Sequence, residues 1–259
     1  MEHAAATRQR TLLTFGGAYS NQIRATAAAG YYCGLETIGI IRGEEHLPLN
    51  PSLAYAERRG MQLSYMDRTT YRQKYDPAVL AGLHRDFGDF HLLPEGGSNE
   101  LAVRGCAEIP AEIDLNFDAL CCPCGTGGTL AGIAAGLGSG QRAIGFSSLK
   151  GGSFLANDVT DLQQSTFGRR FDNWRIETSY HFGGFAKKIP ELELFIADFQ
   201  NRYRLPLEWV YVAKMMYGLY ELIGAGAFER GSQVIALITG SPGPEIGAEV
   251  KATHWSVPG

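Results

Sequence analysis

The sequence predicts an α/β protein built on parallel sheets, and three observations predict it. Short apolar runs of strand length alternate with amphipathic or Ala-rich stretches along most of the chain. Glycine-rich turns stand where a strand would hand over to a helix, around residues 16–22, 125–129 and 239–243. No repeat, low-complexity tract or obvious linker interrupts the alternation, and 259 residues suffice for one large domain or two modest ones.

Taken in order, residues 11–15 (Thr-Leu-Leu-Thr-Phe) read as a strand, and Gly16-Gly17 then leads into an Ala-rich helix over 20–33. Residues 37–41 form a second strand, 53–59 a helix, and 62–65 and 89–93 two further strands. The spacing predicts a helix over 100–113, a buried strand over 117–122, a helix over 127–137 and a strand over 142–146. Two long amphipathic helices are expected over 189–203 and 215–230, and a strand over 233–239 closes the series.

Composition excludes several classes. With 45% hydrophobic and 19% charged residues the chain reads as an ordinary soluble globular protein. A formal net charge of -4 argues against nucleic acid, and no apolar run approaches the roughly 20 residues of a membrane span. The start has basic residues but no apolar segment behind them, so it is no secretory signal; residues 1–10 read instead as the tail of a helix. Five cysteines, three of them in Cys121-Cys122-Pro123-Cys124, do not make a disulfide framework, and a reduced cytoplasmic setting is expected. Those thiols read as buried strand residues, and His84, His91 and His181 stand singly, so no metal site is expected.

Two turns carry candidate chemistry. Gly125, Thr126, Gly127, Gly128 and Thr129 follow a strand and open a helix. Glycines let the backbone approach an anion, the first N–H groups of the helix point at it, and two threonine hydroxyls add donors. The same residues could simply make a tight turn, and the motif alone leaves both readings open. A P-loop is excluded because no Gly-Lys-Ser/Thr follows. The spacing disfavours a dinucleotide site and any nicotinamide oxidoreductase, because the next strand ends in Ser147-Ser148 rather than an acidic residue. In the other turn, Gly16-Gly17-Ala18-Tyr19-Ser20-Asn21-Gln22, Ser20 sits at an N-cap position; capping alone would explain it.

The wider pattern decides between them. That first turn, Pro94-Glu95-Gly96-Gly97-Ser98-Asn99, the Gly-Thr-Gly-Gly-Thr loop, Tyr180-His181-Phe182-Gly183-Gly184-Phe185-Ala186-Lys187, Val210-Tyr211-Val212-Ala213-Lys214-Met215-Met216-Tyr217-Gly218-Leu219 and Leu237-Ile238-Thr239-Gly240 run through nearly the whole chain. In that order they resemble the 1-aminocyclopropane-1-carboxylate deaminase and D-cysteine desulfhydrase family of pyridoxal-phosphate (PLP) enzymes. The resemblance implies the fold of the tryptophan synthase β subunit, PLP fold type II: two open parallel-sheet α/β domains with the cofactor in a cleft between them. Residues 1–93 would be the smaller domain with the substrate-anchoring turn, and 94–259 the larger domain with the phosphate loop, incomplete in its N-terminal contribution. A homodimer acting on a small amino acid is implied, in deaminase, lyase or hydrolase chemistry of the aminocyclopropane-carboxylate or D-cysteine type.

Carried over by residue, Ser20, Asn21 and Gln22 would receive the substrate carboxylate, and Asn21 would also meet the phenolic oxygen of the cofactor. Gly125, Thr126, Gly127, Gly128 and Thr129 would hold its phosphate, and Thr239 would set a hydroxyl against its pyridine nitrogen. Ser20 and Tyr180 are the candidate catalytic side chains, with Tyr180 and Tyr217 equally open to a packing role. Glu95 is a candidate link between the domains. Phe185 stands where relatives often carry Tyr, Ser241-Pro242-Gly243-Pro244 departs from the family after Thr239-Gly240, and Gln22 is similar to the longer deaminases.

One element is missing. The family's Schiff-base lysine lies in a Gly-Asn-Lys motif about one helix before the Ser-Asn turn, and this sequence has no Gly-Asn-Lys. Its lysines are Lys74, Lys150, Lys187, Lys188, Lys214 and Lys251. Either the sequence is shortened at its start, as residues 1–10 suggest, or it is a lysine-less relative that binds PLP or another anion without turnover. In both readings this chain is expected to be inactive, or nearly so, in Schiff-base chemistry.

Overall fold

The computed structural model describes residues 9–240, which divide into two units, the first ending at Gly97 and the second beginning at Ser98. The expectations for residues 1–8, for Ser241-Pro242-Gly243-Pro244 and for Lys251 lie outside the described residues.

In the first unit, β1 (Thr11–Gly16), β2 (Glu36–Arg42), β3 (Met61–Met66) and β4 (His91–Leu93) form one parallel sheet in the order β3-β2-β1-β4. The helices are α1 (Asn21–Cys33), α2 (Pro51–Arg58), α3 (Arg68–Arg72) and α4 (Pro77–Phe87), followed by a short 3-10 turn over Glu95–Gly97. Alanines give α1 its propensity, Ser20 caps its start by accepting the Ile23 N–H, and Gly34 at φ 66° ends it. Leu12, Leu13 and Phe15 are fully buried, so β1 is a two-sided core strand with α1 on one face, through Ile23 and Ala27. Helices α3 and α4 are additional to the elements read from the sequence; α3 is one turn long, and α4 buries only Leu83.

The second unit adds α5 (Glu100–Cys106), α6 (Ile109–Glu112), β5 (Ala119–Cys124), α7 (Gly128–Gly136), β6 (Arg142–Ser147), α8 (Leu155–Phe167), β7 (Trp174–Glu177), α9 (Pro190–Tyr203), α10 (Val212–Gly224) and β8 (Val234–Ala236). Its sheet is again parallel, in the order β7-β6-β5-β8. Every residue of β5 is buried, and its packing partners include Leu130, Ile133 and Ala134 on α7 and Val212 and Met215 on α10.

Several expected boundaries move. The helix expected over 100–113 is two helices, because Pro110 can sit in the first turn of α6 but not in the middle of a continuous helix. The strand expected over 117–122 begins at Ala119 and runs through Pro123 to Cys124. Pro123 is tolerated there because β8 pairs with β5 only as far as Cys121, beyond which β6 remains the ladder neighbour. The helix expected over 215–230 starts at Val212 and ends at Gly224; the Glu208 carboxylate accepts the N–H groups of Val210, Tyr211 and Val212 and fixes the start. The strand expected over 233–239 ends at Ala236, although Leu237 still donates its N–H to the Cys121 carbonyl at 2.8 Å.

Candidate functional site

Both sheets contain a switch point. The chain lays β2 and β3 on one side of β1 and then crosses to the other side for β4; it does the same around β5, with β6 and β7 on one side and β8 on the other. Connections leaving adjacent strands in opposite directions open a crevice at the carboxyl ends of those strands, where ligands of parallel sheets bind. The turn with Ser20 follows β1, residues 94–97 follow β4, Gly125 follows β5, and Thr239 follows β8. The sequence-predicted residues therefore fall at two crevices, one in each unit, with Tyr180 placed separately after β7.

In the first unit the Ser20 hydroxyl accepts from Ile23 N at 3.5 Å, and the Ser20 N–H donates to the Gly17 carbonyl at 2.9 Å. Asn21 and Gln22 open α1, whose positive end favours an anion. Asn21 is half-buried. The Gln22 side chain is committed elsewhere: its Nε2 donates to Thr14 Oγ1 at 2.7 Å and to the Pro94 carbonyl at 2.6 Å, bridging the crevice between the ends of β1 and β4. Gln22 thus offers a ligand its backbone N–H, while its amide orders the turn.

Around this turn stand residues that sequence reasoning left out. The Arg42 guanidinium, at the end of β2, lies 3.6 Å from where a Cβ on Gly17 would sit and 5.7 Å from the Tyr71 ring centroid. Tyr71 donates to Glu95 Oε1 at 3.0 Å, Lys74 Nζ pairs with Glu95 Oε2 at 2.9 Å, and the Tyr75 hydroxyl accepts the Glu95 N–H at 2.8 Å. Burial, reinforced by the Glu95 charge, pushes the Tyr71 phenol far above its ordinary range, so Tyr71 remains a donor. The sequence signal for Arg42 was its place at the end of a strand; Tyr71 and Lys74 gave none. Within this unit Glu95 holds α3 and the following Tyr75 to the turn after β4.

In the second unit Gly127 adopts φ +83° at the start of α7, which has no side-chain cap on its first N–H groups. A Cβ on Gly127 would meet Val159 Cγ2 at 2.7 Å, and one on Gly128 would meet Ser98 Oγ at 2.7 Å. Ser98 and the exposed Thr126 share a hydroxyl–hydroxyl hydrogen bond of 2.6 Å, so Ser98 belongs to the same cluster. Thr129 is half-buried and reached by the thiol of Cys106. The Tyr211 ring closes one side: its Cε1 and hydroxyl lie 3.1 and 3.4 Å from a Cβ on Gly125. Glycines without room for side chains, uncapped helix N–H groups and two converging hydroxyls match a phosphate in shape and in hydrogen-bonding chemistry. Thr239 is exposed, three residues past β8, which runs parallel to β5.

Tyr180 is half-buried and packs on Gly218, where a Cβ would come within 2.6 Å of its ring; its ring lies 6.3 Å from that of Tyr217. Burial raises its phenol above the ordinary range. Tyr217 donates to Glu191, and that bond first, then burial, pushes its phenol up to about 12. The β5 thiols are packing groups: burial pushes Cys121 up to about 12, and the hydrogen bond with Cys124 and burial together hold Cys122 well above the ordinary thiol range. Among the described residues no three His, Cys, Asp or Glu side chains are grouped to hold a metal ion, and no helix is long and apolar enough to cross a membrane. Three of the described lysine amines have defined partners. Lys74 pairs with Glu95, Lys188 with Glu193, and Lys214 donates to the carbonyls of His181 at 2.9 Å and Gly184 at 2.7 Å.

Comparison with known proteins adds the relatives. No family model matches the sequence. The chain is 28% identical over 243 residues to a Pyrococcus furiosus protein named "Putative 1-aminocyclopropane-1-carboxylate deaminase", covering 88% of this chain and 73% of that one. It is 30% identical over 154 residues to the mitochondrial bifunctional D-cysteine desulfhydrase/1-aminocyclopropane-1-carboxylate deaminase of Arabidopsis thaliana, covering 52% of this chain and 38% of that one. Its fold matches the crystal structure of an ACC deaminase homologue with a TM-score of 0.75 at 24% identity, over 92% of this chain and 76% of that one. In sequence this chain is similar to proteins named 1-aminocyclopropane-1-carboxylate deaminase and D-cysteine desulfhydrase, and its two parallel-sheet α/β units have the fold type II architecture that the resemblance implies.

Proposed function

We propose that the chain binds pyridoxal 5'-phosphate and the carboxylate of a small amino acid of the aminocyclopropane-carboxylate or D-cysteine type, and that it does not turn that substrate over by Schiff-base chemistry. The observation that carries the binding half is the turn after β5, where Gly127 at φ +83°, the Ser98–Thr126 hydroxyl pair and the uncapped start of α7 converge. In this reading Gly125, Thr126, Gly127, Gly128 and Thr129 hold the phosphate through backbone N–H groups and hydroxyls. Thr239 presents its hydroxyl to the ring nitrogen, and Asn21 its amide to the phenolic oxygen. Ser20, Asn21 and Gln22 orient the substrate carboxylate at the positive end of α1. The Gln22 amide keeps this turn in place through Thr14 and Pro94. Arg42 adds positive charge beside Gly17 and strengthens the preference for an anionic group. Tyr180 is the candidate phenol for holding or moving a proton on the substrate.

When bound, pyridoxal phosphate supplies the electron sink that lets a bond at the α-carbon of an amino acid break. That chemistry normally needs a lysine amine to hold the cofactor and move the α-proton. No Gly-Asn-Lys stands in the sequence, and the amines of Lys74 and Lys214 are engaged as described. Both turns are built from residues other than that lysine, which supports the reading of binding without turnover. Assembly of two copies of the chain into a homodimer, and a reduced cytoplasmic setting in which the buried thiols stay reduced, complete the proposal.

The test is equilibrium binding of pyridoxal phosphate, competed by inorganic phosphate, followed by borohydride reduction, intact mass and peptide mapping. Saturable binding without a stoichiometric lysine adduct is expected. A single stoichiometric adduct on Lys74 or Lys214, with keto-acid release from D-cysteine or aminocyclopropane carboxylate, would overturn the non-turnover reading. Failure to bind at all would overturn the phosphate reading.

A further inference from the structure

Residues 181–187 make two successive tight turns. Gly184 N donates to the His181 carbonyl at 3.0 Å, and Lys187 N donates to the Gly184 carbonyl at 3.2 Å. Four of these residues have positive φ: Phe182 at 51°, Gly183 at 88°, Gly184 at 114° and Ala186 at 50°. For Phe182 and Ala186 that conformation is disfavoured, and it persists only where surrounding contacts over-determine it. The two carbonyls that close the turns are the same two that accept from Lys214 Nζ, at 2.9 and 2.7 Å. Lys214 comes from α10, is only 1% exposed, and ranks among the largest fully buried side chains. A buried ammonium ligated by two carbonyls joins the loop to the helix at the one place where both turns close.

The same helix start leads back to the phosphate turn. Tyr211, immediately before α10, has its ring against Gly125, and the Phe185 ring from the loop lies 5.8 Å from the Tyr211 ring. Phe182 stands edge-on to Tyr217 at 4.9 Å. A contiguous chain of contacts thus runs from Lys214 through the loop to Phe185, Tyr211 and Gly125. We propose that Lys214 is a positioning residue for the phosphate turn: its ammonium fixes residues 181–187, and the fixed loop seats Tyr211 as the wall beside Gly125.

The charged neighbours fit that role. Glu208, whose carboxylate caps the start of α10, provides the opposing charge that favours the ammonium, while burial acts first and pulls the Lys214 amine down to about 8. Lys214 therefore keeps its charge at neutral pH. The His181 ring Nδ1 accepts from the Gly183 N–H at 3.0 Å, the stems of Lys187 and Lys150 lie against Gly183 and Gly184, and Glu191 is taken by Tyr217. None of these side chains duplicates the link between the loop carbonyls and α10. A relayed effect on the glycine turn is the expected consequence of releasing a loop held by two hydrogen bonds to one charged group.

This inference rests on reading Gly125–Thr129 as a phosphate site, and the experiment separates the two. Inorganic phosphate affinity and hydrogen-exchange protection of the 181–187 amides are measured on the wild-type chain, on Lys214→Met and on Lys214→Ala with added n-propylammonium, which restores the deleted atoms. The expected result for Lys214→Met is a tenfold or larger loss of phosphate affinity, with protection lost at Gly184 and Lys187 but kept in α9 and α10, on the order expected for one charged hydrogen-bonded group. The expected result for Lys214→Ala is recovery of both readouts by n-propylammonium. Wild-type binding with unchanged affinity and protection in Lys214→Met overturns the assignment of Lys214. Absence of phosphate binding by the wild type overturns the phosphate reading instead. If neither variant folds, the wild type alone decides: Gly184 and Lys187 amides that exchange by local opening, well ahead of α10, overturn the clamp.

Discussion

The hydroxyls of Ser98 and Thr126 share a 2.6 Å hydrogen bond although they lie 28 residues apart, one at the start of the second unit and the other in the glycine turn after β5. Ser98 Oγ also stands 2.7 Å from where a Cβ on Gly128 would be, so it is part of the wall of the turn. Removing it as Ser98→Ala deletes a donor at the rim while leaving the core intact. Phosphate affinity should fall by about three- to tenfold, the worth of one neutral hydrogen bond, with little change in melting temperature. Isothermal titration with inorganic phosphate checks this, and an unchanged affinity removes Ser98 from the site.

Gly127 should tolerate no side chain. Its φ of +83° disfavours any L-residue, and an added methyl would come within 2.7 Å of Val159 Cγ2. Gly127→Ala should cost about 1–3 kcal/mol of stability and displace the first turn of α7. The companion Gly17→Ala, whose methyl would meet only the Arg42 guanidinium at 3.6 Å, should be far milder. Paired denaturant melts of the two variants provide the comparison.

The Gln22 amide spans 72 residues of sequence to reach the Pro94 carbonyl. Gln22→Leu fills a similar volume but leaves that carbonyl and the Thr14 hydroxyl without this donor. A destabilisation of roughly 1–3 kcal/mol follows from the desolvated acceptors. Hydrogen exchange should show the loss concentrated in α1 and β4, and uniform protection across the first unit would contradict the bridging role.

The Lys214 amine, at about 8 in the folded chain against roughly 10.4 for an unfolded lysine, sets a pH signature. Between those values the unfolded chain holds the extra proton, so the contribution of this group to unfolding free energy rises with pH. Below about 8 the cost of burying the ammonium is fully present; it is relieved as the pH climbs toward 10. Urea melts at pH 7.5 and 9.5 should therefore show a more favourable pH trend in the wild type than in Lys214→Met. Parallel trends would place the proton elsewhere.

Much of the fold was legible in local sequence. β-branched and apolar runs marked β1, β2, β3 and β6, Ser20 marked the start of α1, and the glycine turn announced the start of α7. Those features depend on neighbours within a few residues, which is the range over which propensity, capping and turn geometry act. Two elements of the second unit were missed. Helix α8 carries polar residues around a narrow buried stripe of Leu155, Val159, Gln163 and Thr166, and β7 has no fully buried residue.

By itself the sequence determined the α/β class, the two glycine turns, the family resemblance and the lack of a Gly-Asn-Lys motif. Only the tertiary structure decided which segments share a crevice. The strand orders β3-β2-β1-β4 and β7-β6-β5-β8 set the switch points, and these brought Pro94 to Gln22 within one unit. Packing in the other unit brought Ser98 to Thr126, Tyr211 to Gly125, and the carbonyls of His181 and Gly184 to Lys214. The reason is physical: strand order and side-chain packing couple residues 28 to 86 positions apart, and no local periodicity encodes which distant partner will satisfy a given hydroxyl, amide or buried ammonium.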